Sequence, residues 1–292
     1  MTNISLTHAG AVAIITIDRR SRFNSLDVRT AQDLRKAALA CARDENVRVV
    51  VLRGDGGVFC SGADLKYIRA GGEGGDLGYL QPGGRTTPTG YGEVFKQILE
   101  YLHSTISEIR RSPKPFIAAV DGMAAAGGLG LAMCCDLVFA SSRASFEWAY
   151  SKTGLTGAES STFFLPKLVG LRRALEMALL NPRLDAARAL EIGLVTEVIP
   201  VERFDEDVLA RAQRLADGPV EAYAVTKSLM NQAVGVDRLD YHLDQEIEHL
   251  ARSADSAEFA EGIDAFLGKR EPRFGSPAGP TARSGVSGSA GS

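Results

Sequence analysis

Two runs with no polar residue at their centre, Val47 to Arg53 and Phe116 to Val120, each end at a glycine-bearing turn that feeds a helical stretch. Strands apolar on both faces belong inside a sheet covered by helices, and parallel neighbours of this kind need a long, usually helical crossover. Two such βα units put the chain in the α/β class. Val12 to Ile17 reads as the second arm of a hairpin that turns near His8 to Gly10. Asp27 offers an N-cap to a helix through Cys41, with Leu34, Ala38 and Cys41 on its inner stripe. Phe59 to Ala70 predicts a turn entering a short helix, and Glu93 to Arg111 a long helix stopped by Pro113 and Pro115. Asp121 to Gly130 is a second glycine/alanine turn before a helix. Beyond Thr162 the pattern is helical at Ala174–Leu180, Ala186–Glu191, Phe204–Ala216, Val220–Ala233, Leu239–Arg252 and Ala257–Leu267, with one strand at Val195–Ile199. The stripe Leu239, Leu243, Ile247 and Leu250 is more apolar surface than one small core obviously needs, which points to association with further copies of the chain.

At 292 residues the chain is long enough for two average domains or one large α/β domain, and 45% hydrophobic residues supply a sizeable core. The patterning divides it into residues 1–200, which hold both glycine turns, a helical region 201–272, and a Gly/Ser/Pro tail 273–292 that is expected to be disordered. Nine glycines and two prolines between Gly71 and Gly92 predict a long loop. A net charge of −3 leaves no basic face for nucleic acid. Cys41, Cys60, Cys134 and Cys135 lack CxxC spacing, so neither a metal site nor a disulfide framework is expected. The first residues alternate rather than forming a leader, and no apolar stretch approaches the roughly 18 residues of a membrane span. A reduced, cytoplasmic chain without membrane attachment is the expectation.

The two glycine turns carry the functional signal. In Phe59-Cys60-Ser61-Gly62-Ala63-Asp64-Leu65 a glycine precedes a helix start, where backbone N–H groups are free, and the geometry recurs at Gly122 to Gly130. Two N–H groups converging on one point would form an oxyanion hole for an acyl carbonyl. Neither turn matches a dinucleotide or Walker phosphate loop. Together with Arg22-Phe23-Asn24-Ser25-Leu26, the whole run Lys114 to Ala140, Leu165 to Leu179 and Ala187 to Val195, they resemble the enoyl-CoA hydratase/isomerase (crotonase) superfamily over roughly residues 4 to 272. The resemblance implies a spiral of repeated ββα turns and a C-terminal helical region that builds a homotrimer or homohexamer. It also implies a coenzyme A thioester as substrate, with no permanently bound cofactor. The family's oxyanion donors fall on the backbone N–H groups of Ala63 and Gly127. Ser61, Asp64, Leu65 and Lys66 would line the nucleotide and pantetheine path, although capping the following helix is the preferred role for the Asp64 side chain. Lys269 and Arg270 stand where the family places a basic residue that reaches CoA, often from a neighbouring subunit.

The acid/base residues depart from the family pattern. Its hydratases use two glutamates, and the matching positions here are Gly130 and Tyr150. Glu159 is the remaining candidate base, in a loop where several subfamilies place a catalytic carboxylate; a carboxylate near a helix N-terminus is the plainer reading. Tyr150 is either a hydrogen-bonding partner of substrate or a half-buried aromatic. His103 occupies the place of a basic histidine in related dehalogenases, but a solvent-facing helix histidine is the preferred reading. Asp136 reads as a structural carboxylate, and His8, His242 and His249 as surface residues. Two functions follow: an acyl-CoA enzyme of the hydratase or isomerase type, or a CoA-binding homologue that has lost its catalytic pair.

Overall fold

Six strands form the larger sheet, and the hydrophobic runs of the sequence are its interior. The computed structural model describes residues 3–73 and 90–275. The tail from Ser276 and most of the glycine-rich loop lie outside them. In chain order the elements are β1 (Ile4–Ala9), β2 (Val12–Ile17), α1 (Val28–Arg43), β3 (Val49–Gly54), α2 (Leu65–Arg69), α3 (Tyr91–Arg111), β4 (Phe116–Val120), β5 (Met123–Ala125), α4 (Gly127–Met133), β6 (Leu137–Ser141) and β7 (Ser145–Glu147). There follow α5 (Ser161–Val169), α6 (Leu171–Leu180), β8 (Leu184–Asp185), α7 (Ala186–Glu191), β9 (Glu197–Ile199), α8 (Phe204–Ala216), α9 (Val220–Ala233), α10 (Leu239–Ala254) and α11 (Ala257–Leu267).

The larger sheet runs β1-β2-β3-β4-β6-β9, antiparallel only in the β1–β2 hairpin. Its strands alternate their side chains between two cores, as a period of two requires. Val50 and Leu52 of β3 and Phe116, Ala118 and Val120 of β4 face the main core with α1 and α3. Val49, Val51, Ile117 and Ala119 face the other way, onto Phe204, Val208 and Ala212 of α8. A second sheet, β5-β7-β8, pairs β5 with β7 in parallel and β7 with β8 antiparallel.

Backbone bonds fasten the chain after β3 to the second sheet. Phe59 and Cys60 N–H groups both point to the Met123 carbonyl at 3.1 Å, and Ala125 N–H donates to the Cys60 carbonyl at 3.0 Å. On its other side the segment pairs with Leu26, which donates to the Gly62 carbonyl and accepts from Asp64 N–H, both at 2.8 Å. One guanidinium fixes this corner. Arg19 reaches Asp27 at 2.6 Å and Asp64 at 2.7 Å, and these two carboxylates are the N-caps of α1 and α2. Asp136 is held by Arg110 at 2.9 Å and Lys227 at 2.8 Å and accepts the Phe116 N–H, a structural role as expected.

The stripe on α10 is not an outer surface. Leu239, Leu243 and Leu250 are buried and Ile247 is partly buried in the chain's own core, where α10 lies along α3. The amphipathic pattern reported burial correctly and its partner wrongly. No helix among the described residues is long and apolar enough to cross a membrane. All four cysteines are free and buried.

Arg19→Met should be costly, because it strands two nearly buried carboxylates beside each other. We expect a loss of about 3–5 kcal/mol in denaturant unfolding, the usual result of removing one partner of a buried ion pair. A loss under about 1 kcal/mol, typical of a surface pair, would show that solvent screens this corner.

Candidate active site

A cleft of about 580 Å³ opens where the two glycine turns meet the segment from Ala149 to Glu159, with Leu250, Phe266 and Leu267 closing it from α10 and α11. The turns touch. A Cβ on Gly62, whose φ is +88°, would stand 3.1 Å from the Gly127 nitrogen and 2.9 Å from the Ala126 Cβ. Glycine is therefore needed at 62 both for its backbone conformation and for space. Because Gly62 and Asp64 make the bonds to Leu26, the pleat turns the Ala63 N–H away from Leu26. Gly127 is the first residue of α4, so its N–H has no partner within the helix. Ahead of it, Ala126 holds φ 47° and ψ −121°, a strained conformation for a residue with a side chain, tied by its N–H to the Glu147 carbonyl.

Glu159 lies beside this turn, and only the glycines admit it. A Cβ on Gly127 would fall 2.7 Å from Glu159 Oε1, and one on Gly130 would fall 2.3 Å from the Glu159 carbonyl oxygen and 2.9 Å from its Cβ. The carboxyl is 2% exposed. Burial pushes it up to about 8, against the Tyr150 hydroxyl that hydrogen-bonds Oε2 at 2.5 Å, while the Glu246 charge adds to the rise. Tyr150 is buried too, edge-on to Trp148, and its own ionisation is raised far above the ordinary range by burial and by Glu159. Its hydroxyl thus stays protonated, with Glu159 Oε2 and the Ala158 carbonyl both within hydrogen-bond distance.

Other expected residues divide between cleft and scaffold. Ser61, Ala63, Asp64, Leu65, Lys66, Tyr150, Glu159 and Lys269 all line the cleft. Asp64 also caps α2, accepting the Lys66 and Tyr67 N–H groups at 3.0 Å. Lys269 reaches the cleft from its own chain, whereas Arg270 is paired with Glu261. His103 is not solvent-facing: it is 5% exposed on the inner face of α3, where burial pushes it down to about 3. Its neutral Nε2 accepts the Glu159 N–H at 3.2 Å. His242 is half-buried rather than superficial and hydrogen-bonds Thr162 Oγ1 at 2.7 Å, while His8 and His249 are exposed.

Glu246 escaped the reading of the sequence altogether. Buried on α10, it accepts the N–H groups of Ser160 at 2.8 Å and Thr162 at 3.0 Å, and it also bonds the Thr162 hydroxyl. Burial pushes it up to about 7 in spite of these bonds. The signal was available, because residue 246 lies three after Leu243 and seven after Leu239, inside the apolar stripe. His103 carries the same signal, four residues after Leu99 and three before Ile106.

A family model described as enoyl-CoA hydratase/isomerase matches residues 7–277. The chain belongs to the enoyl-CoA hydratase/isomerase family. It is 35% identical over 263 residues to the "Probable enoyl-CoA hydratase" of Rhodobacter capsulatus, covering 90% of this chain and 94% of that protein. It is 31% identical to the 1,2-epoxyphenylacetyl-CoA isomerase of Escherichia coli, over 94% of this chain and 99% of that one. The crystal structure of an enoyl-CoA hydratase from Mycobacterium avium subsp. paratuberculosis K-10 superposes with a TM-score of 0.80 at 32% identity, covering 93% of this chain and 98% of that chain. The spiral of strands and helices and the C-terminal helical region α9–α11 are the family's fold, as the resemblance implied.

In this family member α4 has no room for a carboxylate of its own at 130. Gly130→Glu should not add a second acid to the cleft but should displace Glu159, costing at least the roughly 1–3 kcal/mol of an overpacked core. Thermal unfolding of Gly130→Glu and Gly130→Ala checks this, and a wild-type melting temperature in either would show that the Glu159 turn yields freely.

Proposed function

We propose that the protein moves a double bond along an acyl-CoA thioester, an enoyl-CoA isomerase in which one carboxylate, Glu159, carries the proton. The observation that bears this reading is the position of Glu159 in the cleft, sealed from water and beside the oxyanion turn, with Gly130 and Tyr150 at the two places that the resemblance gives to a hydratase's glutamates. The substrate's thioester oxygen sits between the Ala63 and Gly127 N–H groups. Glu159 removes a proton from the carbon next to the carbonyl of a 3-enoyl thioester. The electron pair flows toward the oxygen, where the two N–H groups stabilise the dienolate; one such donor is typically worth about 10²–10³ in rate. The same carboxyl then returns the proton at the far carbon, leaving the 2-enoyl thioester. Hydration would instead need one group to activate water and another to deliver a proton.

Around this centre Phe95, Leu155, Leu250 and Leu267 supply an apolar bed for the acyl chain. Arg22, Lys66 and Lys269 form a cationic rim suited to the phosphates of coenzyme A. The relatives named for acyl-CoA hydration and isomerisation support the substrate class. The test is turnover of 3-hexenoyl-CoA beside hydration of crotonyl-CoA, each followed by mass spectrometry. We expect isomerisation to dominate and Glu159→Gln to lower it at least about 10²-fold, with acetoacetyl-CoA affinity kept. Since Glu159 must be ionised to act, kcat/KM should rise with pH until about 8. Wild-type turnover by Glu159→Gln would sink the reading, and tight acyl-CoA binding without turnover would favour the non-catalytic alternative.

We also propose that the chain assembles as a homotrimer or homohexamer. With the α10 stripe buried in its own core, the exposed apolar surface is on α9, with Val225, Leu229 and Met230, and on α6, where Leu171, Leu175 and Leu179 repeat every four residues and are 66%, 48% and 75% exposed. Light scattering should give three or six times the 31.1 kDa chain mass, and Leu175→Glu should lower it. A wild-type monomer at micromolar concentration would contradict the assembly.

A further inference from the structure

Glu159 is aimed by an unusual stretch of backbone. Glu159 and Ser160 stand side by side in the left-handed region, with φ of 50° and 62°, and neither is glycine. Such a conformation is disfavoured for any residue with a Cβ and persists only where its surroundings impose it. Here the imposing groups are identifiable. The Glu159 N–H points to His103 Nε2, while the Ser160 and Thr162 N–H groups converge on the two carboxyl oxygens of Glu246. Successive N–H groups of a turn make a concave seat for an anion, and Glu246 occupies that seat from within the protein.

We propose that Glu246 is a positioning residue for Glu159: it holds the Glu159–Thr162 turn in its left-handed form, so that the Glu159 carboxyl lies against Gly127 and the Tyr150 hydroxyl. The inference rests on the reading of Glu159 as the base. Glu246 does not line the cleft and so does not touch substrate. It is 4% exposed, and α10 brings it in from the C-terminal region, a long way along the chain from the turn it holds. Charged and titratable groups face it from several elements. His103 of α3 stands 3.7 Å away and is kept neutral, while His242 of α10 stands 3.8 Å away. Lys167 of α5 acts on His242, and Tyr150 and Glu159 lie on the far side of the turn. No cation is paired with Glu246 among these groups. Its oxygens are occupied by the turn.

The test uses the full-length protein with 3-hexenoyl-CoA turnover, acetoacetyl-CoA calorimetry and the variants Glu246→Ala, Glu246→Gln and Glu159→Gln. Glu246→Ala should lose about 10²-fold in kcat, the scale of a misplaced catalytic group, with acetoacetyl-CoA affinity within about threefold of wild type. Glu246→Gln keeps one acceptor oxygen for the turn and should recover about tenfold of that loss. It also removes a negative charge that faces Glu159, so the acid limb of its kcat profile should move to lower pH, a displacement that a purely structural residue would not cause. A folded Glu246→Gln whose acid limb stays in place overturns the proposal, as does Glu246→Ala with near wild-type kcat. If Glu246→Ala does not fold, the limb of Glu246→Gln decides. Wild-type turnover by Glu159→Gln overturns the base assignment and this inference with it, whereas an inactive Glu159→Gln beside unaffected Glu246 variants overturns this inference alone.

Discussion

Removing a carboxyl group from water favours its neutral form, and in Glu159 that preference carries the pKa from an ordinary 4.5 to about 8. The fold therefore holds the protonated acid more comfortably than the ion. Its contribution to stability is complete below the unfolded value near 4.5 and is lost as pH climbs through about 8. On the α4 side the group is enclosed by bare backbone, because a Cβ at Gly127 or Gly130 would collide with Glu159. The small residues of β5 and α4 are the counterpart of that burial. They let the turn after β3, the start of α4 and the Glu159 loop come within van der Waals distance of one another.

The same close approach makes glycine the requirement of the two turns that we propose hold the thioester oxygen. Their donors are main-chain N–H groups, fixed by which neighbours the flanking residues bond to. Cys60 and Ala125 tie one turn to the other, and Arg19 ties the first turn to the N-caps of α1 and α2. Ala126, Glu159 and Ser160, which lie beside these ties, are among the non-glycine residues held at positive φ, as in sites whose geometry is imposed by their surroundings.

Amphipathic helices and a fully apolar strand bounded by proline and glycine are legible in the amino-acid order alone. α7, α8, α9 and α11 fall on the residues expected, and so does β4. The strands β5, β7 and β8 have two or three residues each, too few to show a period of two. α5 escaped because it carries Pro166 and opens on two serines, one of them left-handed. At the site, the glycine turns and the loop of Glu159 were legible because both are properties of local sequence, and the structure brings them together around one cleft. His103 and Glu246 were missed for a different reason. An amphipathic stripe says that a residue is buried, but a buried histidine and a buried carboxylate were each read by residue type as surface, or passed over. Their meaning depends on a turn far away in the chain, and no local pattern carries that information.

Tyr150 shows what a phenol does to a buried carboxyl, at a position where the resemblance implies a second carboxylate. A glutamate at 150 would set a second acidic group against Glu159, and two buried carboxyls at hydrogen-bond distance cannot both ionise without a large rise in one of them. A tyrosine there stays protonated, donates to Glu159 Oε2 and pulls that carboxyl back down, partly opposing burial and the charge of Glu246. The balance leaves in Glu159 a carboxyl raised to about 8, with the Tyr150 hydroxyl against one of its oxygens. In the isomerisation we propose, such a group takes a proton and gives it back along one face of the enolate. Glu246 is occupied by the turn and Glu147 is paired with Lys152, so in that proposed isomerisation Glu159 alone carries the proton, unlike a site that has two carboxylates free for water and proton.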